Sequence, residues 1–526
     1  MTRIPLVVSA DFERGASFRI EDITSFPWTM AVGATGSEEY ARQLGAVTGR
    51  EARALGVHWI FAPVMDVNNN PDNPVIGIRS FGEDPRLVAR LGTAFIRGAH
   101  EARVLSGEIP ITGRMPVSIP DHARIGGGLE VPRLDMTVRA MPPEAMGLPK
   151  DAFRETERLL ASFVESKAFT GAVLMVGYRG AVVLDAAVGT LDYAQNSARA
   201  SGDTIYDLAS VTKAVATTPA AMMLAESGRL ILQAPVQDYL PEFQGPDKEK
   251  VLVRHFLTHS SGLPSHAKIY LEARSYHDIL ARVCATRLEY PPGSRAQYSD
   301  FGMILLGEII QRAAGRPLDQ FVKEGLLAPL GMNSTGYRPR RSLLPRIAPT
   351  ENDPWRRWVV RGEVHDENAF VMGGVAGHAG LFSTAYDLAV FAQMMLNGGI
   401  YDHHRYFSRS TVTHFTSGEI GNRALGWGKP SDADWTAKTF SPEAYGHTGF
   451  TGTSIWIDPA SQMFMILLTN RVHSSRTPDR MPEVRQAVSE AVVRALSPVI
   501  MTGSRGWRAY RFQEELDGPR HAAFSR

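Results

Sequence analysis

The sequence predicts an α+β domain whose first and last strands close one antiparallel sheet, preceded by a shorter α/β segment. Three observations predict it. Residues 171–177 and 181–189 are apolar runs separated by Tyr178-Arg179-Gly180, which is a hairpin pattern. Residues 453–458 and 463–469, joined through Pro459-Ala460-Ser461, repeat that pattern towards the far end. Between the hairpins lie helical periodicities at 213–227, 301–314 and 386–397, and another at 151–166 precedes them. Residues 1–105 have a different texture, with apolar runs at 5–10 and 57–64 alternating with helical patterns at 38–55 and 86–99. Strands followed by helices in this way predict βαβ units and a parallel sheet. Residues 106–150 hold Pro110, Pro116, Pro120, Gly126, Gly127, Gly128, Pro132, Pro142, Pro143 and Pro149, so an extended linker is expected there. Residues 151–497 form the main domain. Residues 498–526, with Arg505, Arg508, Arg511 and Arg520, are expected to be a loosely packed tail.

Composition removes several functional classes. The 526 residues carry 56 Lys and Arg against 55 Asp and Glu, a formal net charge of +1. That balance offers no electrostatic footprint for nucleic acid. No apolar run reaches the ~18 residues of a membrane span. The 44% hydrophobic and 21% charged content is that of a soluble globular enzyme. A single cysteine, Cys284, excludes an internal disulfide framework and reads as a small packed hydrophobe. Residues 1–15 carry an early basic residue and then the acidic Asp11 and Glu13, which is no signal-peptide pattern, so the chain reads as cytoplasmic by default and extracytoplasmic if its natural start lies earlier. The sequence leaves the oligomeric state unspecified.

The chemistry starts at Ser210-Val211-Thr212-Lys213, followed by a helix-prone run. With Ser210 at a helix start, Lys213 lies one turn on, on the same face, where its amine reaches the hydroxyl. A serine needs such a base to attack at neutral pH, and a helix N-terminus favours developing negative charge. Alone the pattern also fits a helix cap beside a solvated lysine. Tyr298-Ser299-Asp300, in a turn after Pro291-Pro292-Gly293, and His447-Thr448-Gly449, beside the last hairpin, give it support.

In this order the three motifs resemble those of the serine β-lactamase/penicillin-binding-protein superfamily. The resemblance spans about residues 170–475. It includes Phe256-Leu257-Thr258-His259-Ser260-Ser261-Gly262-Leu263-Pro264, similar to a loop of class C-like members. Asp366-Glu367-Asn368-Ala369, the run from Gly373 to Gly380 and His447-Thr448-Gly449-Phe450-Thr451-Gly452 resemble a branch of cell-wall amidases and peptidases. The resemblance implies an antiparallel sheet with flanking helices and a helical subdomain. It implies that Ser210 is the nucleophile, and that Lys213 and Tyr298 share the general-base and proton-shuttle work. The backbone N–H groups of Ser210 and Phe450 are the implied oxyanion hole, with Asp300, His447, Thr448 and Gly449 at the substrate. Asp300 stands where Asn is usual, and His447 where most β-lactamases have Lys. Histidine supplies a cation only when protonated, so carboxylate recognition is expected to weaken above about pH 6.5. Both departures disfavour β-lactam hydrolysis. No cofactor or metal is implied, and His255, His259, His365 and His378 lack ligand spacing. The expected partner is a small-molecule substrate: a muropeptide, peptide or ester.

Residues 5–100 resemble part of the (β/α)₈ barrel of family 3 glycoside hydrolases. The matching runs are Ala10-Asp11-Phe12-Glu13-Arg14-Gly15, Phe61 to Asn68 and Arg79 to Pro85. The resemblance makes Asp11, Asp66 and Arg79 vestigial sugar-contacting positions. Gly113-Arg114-Met115-Pro116 onwards resembles the far end of such an enzyme, with the catalytic loop and the nucleophile's strand missing between. About three of eight βα units cannot close a barrel, so no glycosidase activity is expected. An intact fusion of this kind would act in cell-wall turnover. The readings carried forward are an amidase on the MurNAc–L-Ala bond, with a D-Ala–D-Ala carboxypeptidase close behind, a short-chain carboxylesterase, and a penicillin-binding sensor that acylates without turnover.

Overall fold

The computed structural model describes residues 9–19, 24–55, 57, 59–70, 75–101, 137–430 and 439–503. The chain divides into two units, Met1–Asp135 and Met136–Arg526. Most of the expected linker, including the run from Gly113, and the tail beyond residue 503 lie outside the described residues.

The second unit is built on a six-stranded sheet. Its strands are β1 (Arg139–Ala140), β2 (Gly171–Tyr178), β3 (Ala181–Gly189), β4 (Tyr445–Thr448), β5 (Ser454–Asp458) and β6 (Met463–Thr469), in the order β4-β5-β6-β2-β3-β1. The last strand, β6, pairs antiparallel with the first hairpin strand, β2, over seven residue pairs from Met463↔Tyr178 to Thr469↔Ala172. Both are buried along their whole length because both sheet faces are covered. Alternation sorts their side chains. Val173, Met175, Phe464, Ile466 and Leu468 enter the core shared with the inserted helices. Leu174, Val176, Met463, Met465 and Leu467 face α1 (Arg154–Glu165) and α5 (Met481–Gly503). The β2–β3 turn places Arg179 and Gly180 at φ 50° and 83°, the type I′ geometry that suits the twist of a hairpin.

Two boundaries differ from the expectation. Residues 137–150 belong with this unit: β1 pairs in parallel with β3, and a 3₁₀ turn follows at Pro143–Met146. Two residues of strand carry no readable alternation. The terminal helix also runs past residue 497 to Gly503.

Between the hairpins, α2 (Thr218–Glu226), α3 (Asp300–Ala314) and α4 (Ala385–Leu396) match the predicted helical stretches. Lys213–Thr217, just before α2, is a π-helical turn rather than α-helix. Ser299 caps α3, its Oγ accepting the Gly302 N–H at 3.3 Å. The loop at 373–380 presses against α3 at Gly377, where a Cβ would lie 2.1 Å from the Met303 carbonyl. Cys284 is buried in the core, and burial pushes its thiol up to about 11. Among the described residues no helix is long and apolar enough to cross a membrane.

In the first unit, Ser9–Ala10 and Trp59–Ile60 pair in parallel, and helices Glu38–Ala54 and Pro85–Glu101 pack on each other. Their backbones approach closely at Gly45 and Gly98, where a Cβ would lie 2.0 Å from the Phe95 carbonyl and 1.9 Å from that of Arg42. Leu44, Leu91 and Phe95 fill the core between them.

Candidate active site

Ser210 follows a strained residue. Ala209 has φ 46°, a left-handed conformation costly for a residue with a Cβ, and the Asp207 carboxylate holds it by accepting its N–H at 2.8 Å. One turn on, Lys213 is fully buried. Its Nζ donates to Ser210 Oγ at 2.9 Å and to the His378 carbonyl at 2.9 Å, and lies 2.7 Å from Asp300 Oδ1. Burial pulls the Lys213 pKa down, but the Asp300 carboxylate and Tyr298 outweigh it and the net shift is upward. Asp300 shows the reverse balance: burial pushes it up, and Lys213 leads the groups that bring it below the ordinary carboxylate range. Lys213 therefore rests as an ammonium against a carboxylate. Asp300, expected at the substrate, is the counter-ion of Lys213, with His266 Nδ1 at 3.6 Å on its other oxygen. A carboxylate where Asn is usual pairs with the nearest buried cation.

Tyr298 stands beside Ser210 and Lys213, with Lys213 Nζ 5.0 Å from its ring centre. Burial raises its pKa, against the pull of Lys213, so the hydroxyl is neutral at rest. His259 sets the turn that carries it. The Gln297 N–H donates to the His259 carbonyl at 2.7 Å, the Ser299 N–H donates to His259 Nδ1 at 3.2 Å, and the His259 and Tyr298 rings lie 4.6 Å apart. Burial, then Arg423 and Lys213, push His259 well below its usual pKa, which keeps Nδ1 an acceptor.

The segment from His447 to Thr453 closes the site from β4. Thr451 Oγ1 donates to the Asp207 carbonyl at 2.7 Å and Thr453 Oγ1 to the Leu208 carbonyl at 2.9 Å, tying the turn to the residues before Ser210. Gly449 is required by this approach, since a Cβ there would lie 2.4 Å from the Leu208 carbonyl. Among the described residues the backbone N–H groups of Ser210 and Phe450 have no internal acceptor. Such a pair suits a developing oxyanion.

His447 corrects an expectation. It is buried, and burial, followed by the charges of Lys213 and Arg423, lowers its pKa to about 3. It is neutral at physiological pH and supplies no cation near pH 6.5. Its Nδ1 lies 2.8 Å from the Thr448 carbonyl, so Nδ1 carries the proton and the buried Nε2, without a partner, is an acceptor. The cleft, about 370 Å³, is lined by Ser210, Tyr298, residues 446–450, Arg423, Arg471 and Arg485 among others. Its arginines were not named by the motif reading, and one of them, Arg471, pairs at 3.6 Å with Asp479 of the same lining. Arg423 lies 5.5 Å from the Tyr298 ring centre, and Arg471 4.4 Å from that of Phe450. No local spacing marks them, because they come from separate segments.

In the first unit, Asp11, Asp66 and Arg79 lie near one another, and the charges of Asp11 and Arg79 are engaged internally. Arg79 forms an ion pair with the buried Glu13, which raises its pKa, aided by Asp11 and Asp66. Asp11 pairs with Arg19 at 2.8 Å, and Asp66 accepts the Ser80 hydroxyl through its backbone carbonyl.

Residues 156–489 match the family model described as Beta-lactamase, and residues 1–108 match that of the glycosyl hydrolase family 3 N terminal domain. A Salmonella typhi protein named "Putative D-alanyl-D-alanine carboxypeptidase" is 38% identical over 311 residues, covering 52% of this chain and 71% of that protein. Its Salmonella enteritidis namesake matches to the same extent. A penicillin-binding protein homologue from Caulobacter crescentus shares the fold, with a TM-score of 0.54, 23% identity, and coverage of 66% of this chain and 98% of that one. A class C beta-lactamase gives 0.55, 20%, 66% and 97%, and a family VIII carboxylesterase 0.52, 21%, 64% and 97%.

Proposed function

The chain belongs to the Beta-lactamase family, and from that premise we propose that Ser210 forms an acyl-enzyme with a peptidoglycan-derived peptide. The observation that carries this is the 2.9 Å contact of Lys213 Nζ with Ser210 Oγ inside a buried site. Ser210 Oγ bonds to the substrate carbonyl carbon, while its oxygen takes the N–H groups of Ser210 and Phe450. In the reactive form the Lys213 proton has been lost to solvent, and the freed amine takes the proton of Ser210 Oγ. Tyr298, beside both, gives its proton to the leaving nitrogen as the amide C–N bond breaks and regains one from Lys213. Water then hydrolyses the ester by the same groups in reverse.

A D-Ala–D-Ala bond suits this cleft better than the MurNAc–L-Ala bond. A terminal carboxylate then lies one residue beyond the scissile carbonyl, where the arginine-lined cleft offers permanent positive charge. The name of the Salmonella relatives supports the same choice. A carboxylesterase is the second reading, favoured by the neutral His447, which leaves the third motif uncharged.

The test compares D-Ala release from an N-acyl-D-Ala-D-Ala peptide, peptide release from a MurNAc-L-Ala-D-isoGlu muropeptide, and p-nitrophenyl butyrate hydrolysis, each against Ser210→Ala. Ser210-dependent D-Ala release is expected. Hydrolysis of the ester alone would move the function to the esterase.

A further inference from the structure

We propose that Arg485, in the second turn of α5, is a positioning residue that orients the Phe450 N–H towards Ser210. This rests on the reading above, in which that N–H stabilises the oxyanion. Arg485 is buried, and its Nη2 donates to the Gly449 carbonyl at 2.8 Å and the Thr453 carbonyl at 3.0 Å. The Gly449 carbonyl and the Phe450 N–H belong to one planar trans peptide, so they point in opposite directions. Holding the carbonyl against the terminal helix directs the N–H the other way. The neighbouring groups of the turn are held as well. The Gly449 N–H donates to the Thr453 carbonyl at 2.7 Å, and Arg471 Nε donates to the Phe450 carbonyl at 2.8 Å.

Such a clamp has work to do here. The turn has glycine at 449 and 452, with Gly452 at φ 103°, and the Phe450 side chain is 47% exposed. Glycine lowers the barrier to peptide reorientation, and the contacts of the Phe450 ring with His365 and Arg471 hold the side chain rather than the 449–450 peptide plane. The threonine tethers to Asp207 and Leu208 fix where the turn sits relative to Ser210. They do not fix the plane of the 449–450 peptide, which is the contribution of Arg485. Val484 and Val488, beside the arginine on α5, anchor the helix in the core beneath the sheet, so the guanidinium is presented from a rigid element.

The test uses the full chain with Arg485→Ala and Arg485→Lys. Active sites are titrated with a fluorophosphonate, acylation by p-nitrophenyl butyrate is followed, and affinity for an alkylboronic acid, whose tetrahedral adduct mimics the oxyanion, is measured. In Arg485→Ala, kcat is expected to fall about 10- to 100-fold with KM changed less than about threefold. Boronate affinity is expected to fall in parallel, and added guanidinium to restore part of both. A folded Arg485→Ala protein with wild-type kcat and boronate affinity overturns the proposal, as does a loss of rate without loss of boronate affinity. If Arg485→Ala does not fold, Arg485→Lys, which keeps charge and stem, decides by the same two readouts. Ser210→Ala separates the failures: turnover surviving that change overturns the acyl-enzyme reading itself, whereas an inert Ser210→Ala beside a fully active Arg485→Ala overturns only the clamp.

Discussion

A lysine with no exposed surface would ordinarily give up its proton, and Lys213 keeps it because the Asp300 carboxylate lies 2.7 Å away. Asp300→Asn leaves burial as the dominant influence, so the Lys213 pKa falls. The rise of kcat/KM with pH that follows loss of the Lys213 proton should then move to lower pH by about one unit or more, as a pH–rate profile would show. An unmoved profile would separate Asp300 from the proton path. His447 makes a second prediction at this scale. With its pKa near 3 it does not change charge between about pH 5 and 8, so KM for a carboxylate-bearing peptide should show no step near 6.5. These charge states were not legible in the sequence. The letters Asp300 and His447 were read as departures, but their consequences depend on burial and on Lys213 and Arg423, which only the fold brings near.

At the scale of elements, the hairpins were legible because their apolar runs are interrupted in mid-strand only at Asp185 and their turns carry Gly180 and Pro459. The pairing of β2 with β6 followed from strands at both ends of one domain. The π-helical turn at Lys213–Thr217 was not legible, since no residue in it departs from a helical pattern. Nor were His259, Arg471 and Arg485, whose partners are backbone atoms that leave no trace in spacing. The loop at 373–380 couples such elements. Its Gly377 carbonyl accepts the Thr217 hydroxyl at 2.6 Å, and the next carbonyl, of His378, accepts Lys213. Gly377→Ala forces the loop off α3 and is expected to cost about 1–3 kcal/mol of stability in urea unfolding. It should also slow acylation, because the His378 carbonyl moves with it. Wild-type values in both measurements would show that the loop yields freely.

Across the whole molecule, pH acts on stability through the same buried histidines. His447 and His259 have folded pKa values below their unfolded value of about 6.5, so unfolding takes up protons as pH falls. Their contribution is complete above about pH 6.5 and is lost progressively below it. Each should remove about 1.4 kcal/mol per pH unit between roughly pH 6 and 5, which urea unfolding at several pH values measures. A flat dependence would mean that these rings are solvated. The first unit calls for a different experiment. Its Arg79 is bound to Glu13, and p-nitrophenyl N-acetylglucosaminide should yield no nitrophenol with the purified chain. Ser210 is the point on which the account of the second unit turns, and trapping it is the most direct test. The protein is mixed with an N-acyl-D-Ala-D-Ala peptide, quenched in acid and mapped by peptide mass spectrometry. An acyl group on Ser210, with at least one D-Ala released per adduct and no adduct in Ser210→Ala, is the predicted result. An adduct elsewhere, or D-Ala release that survives Ser210→Ala, would contradict it.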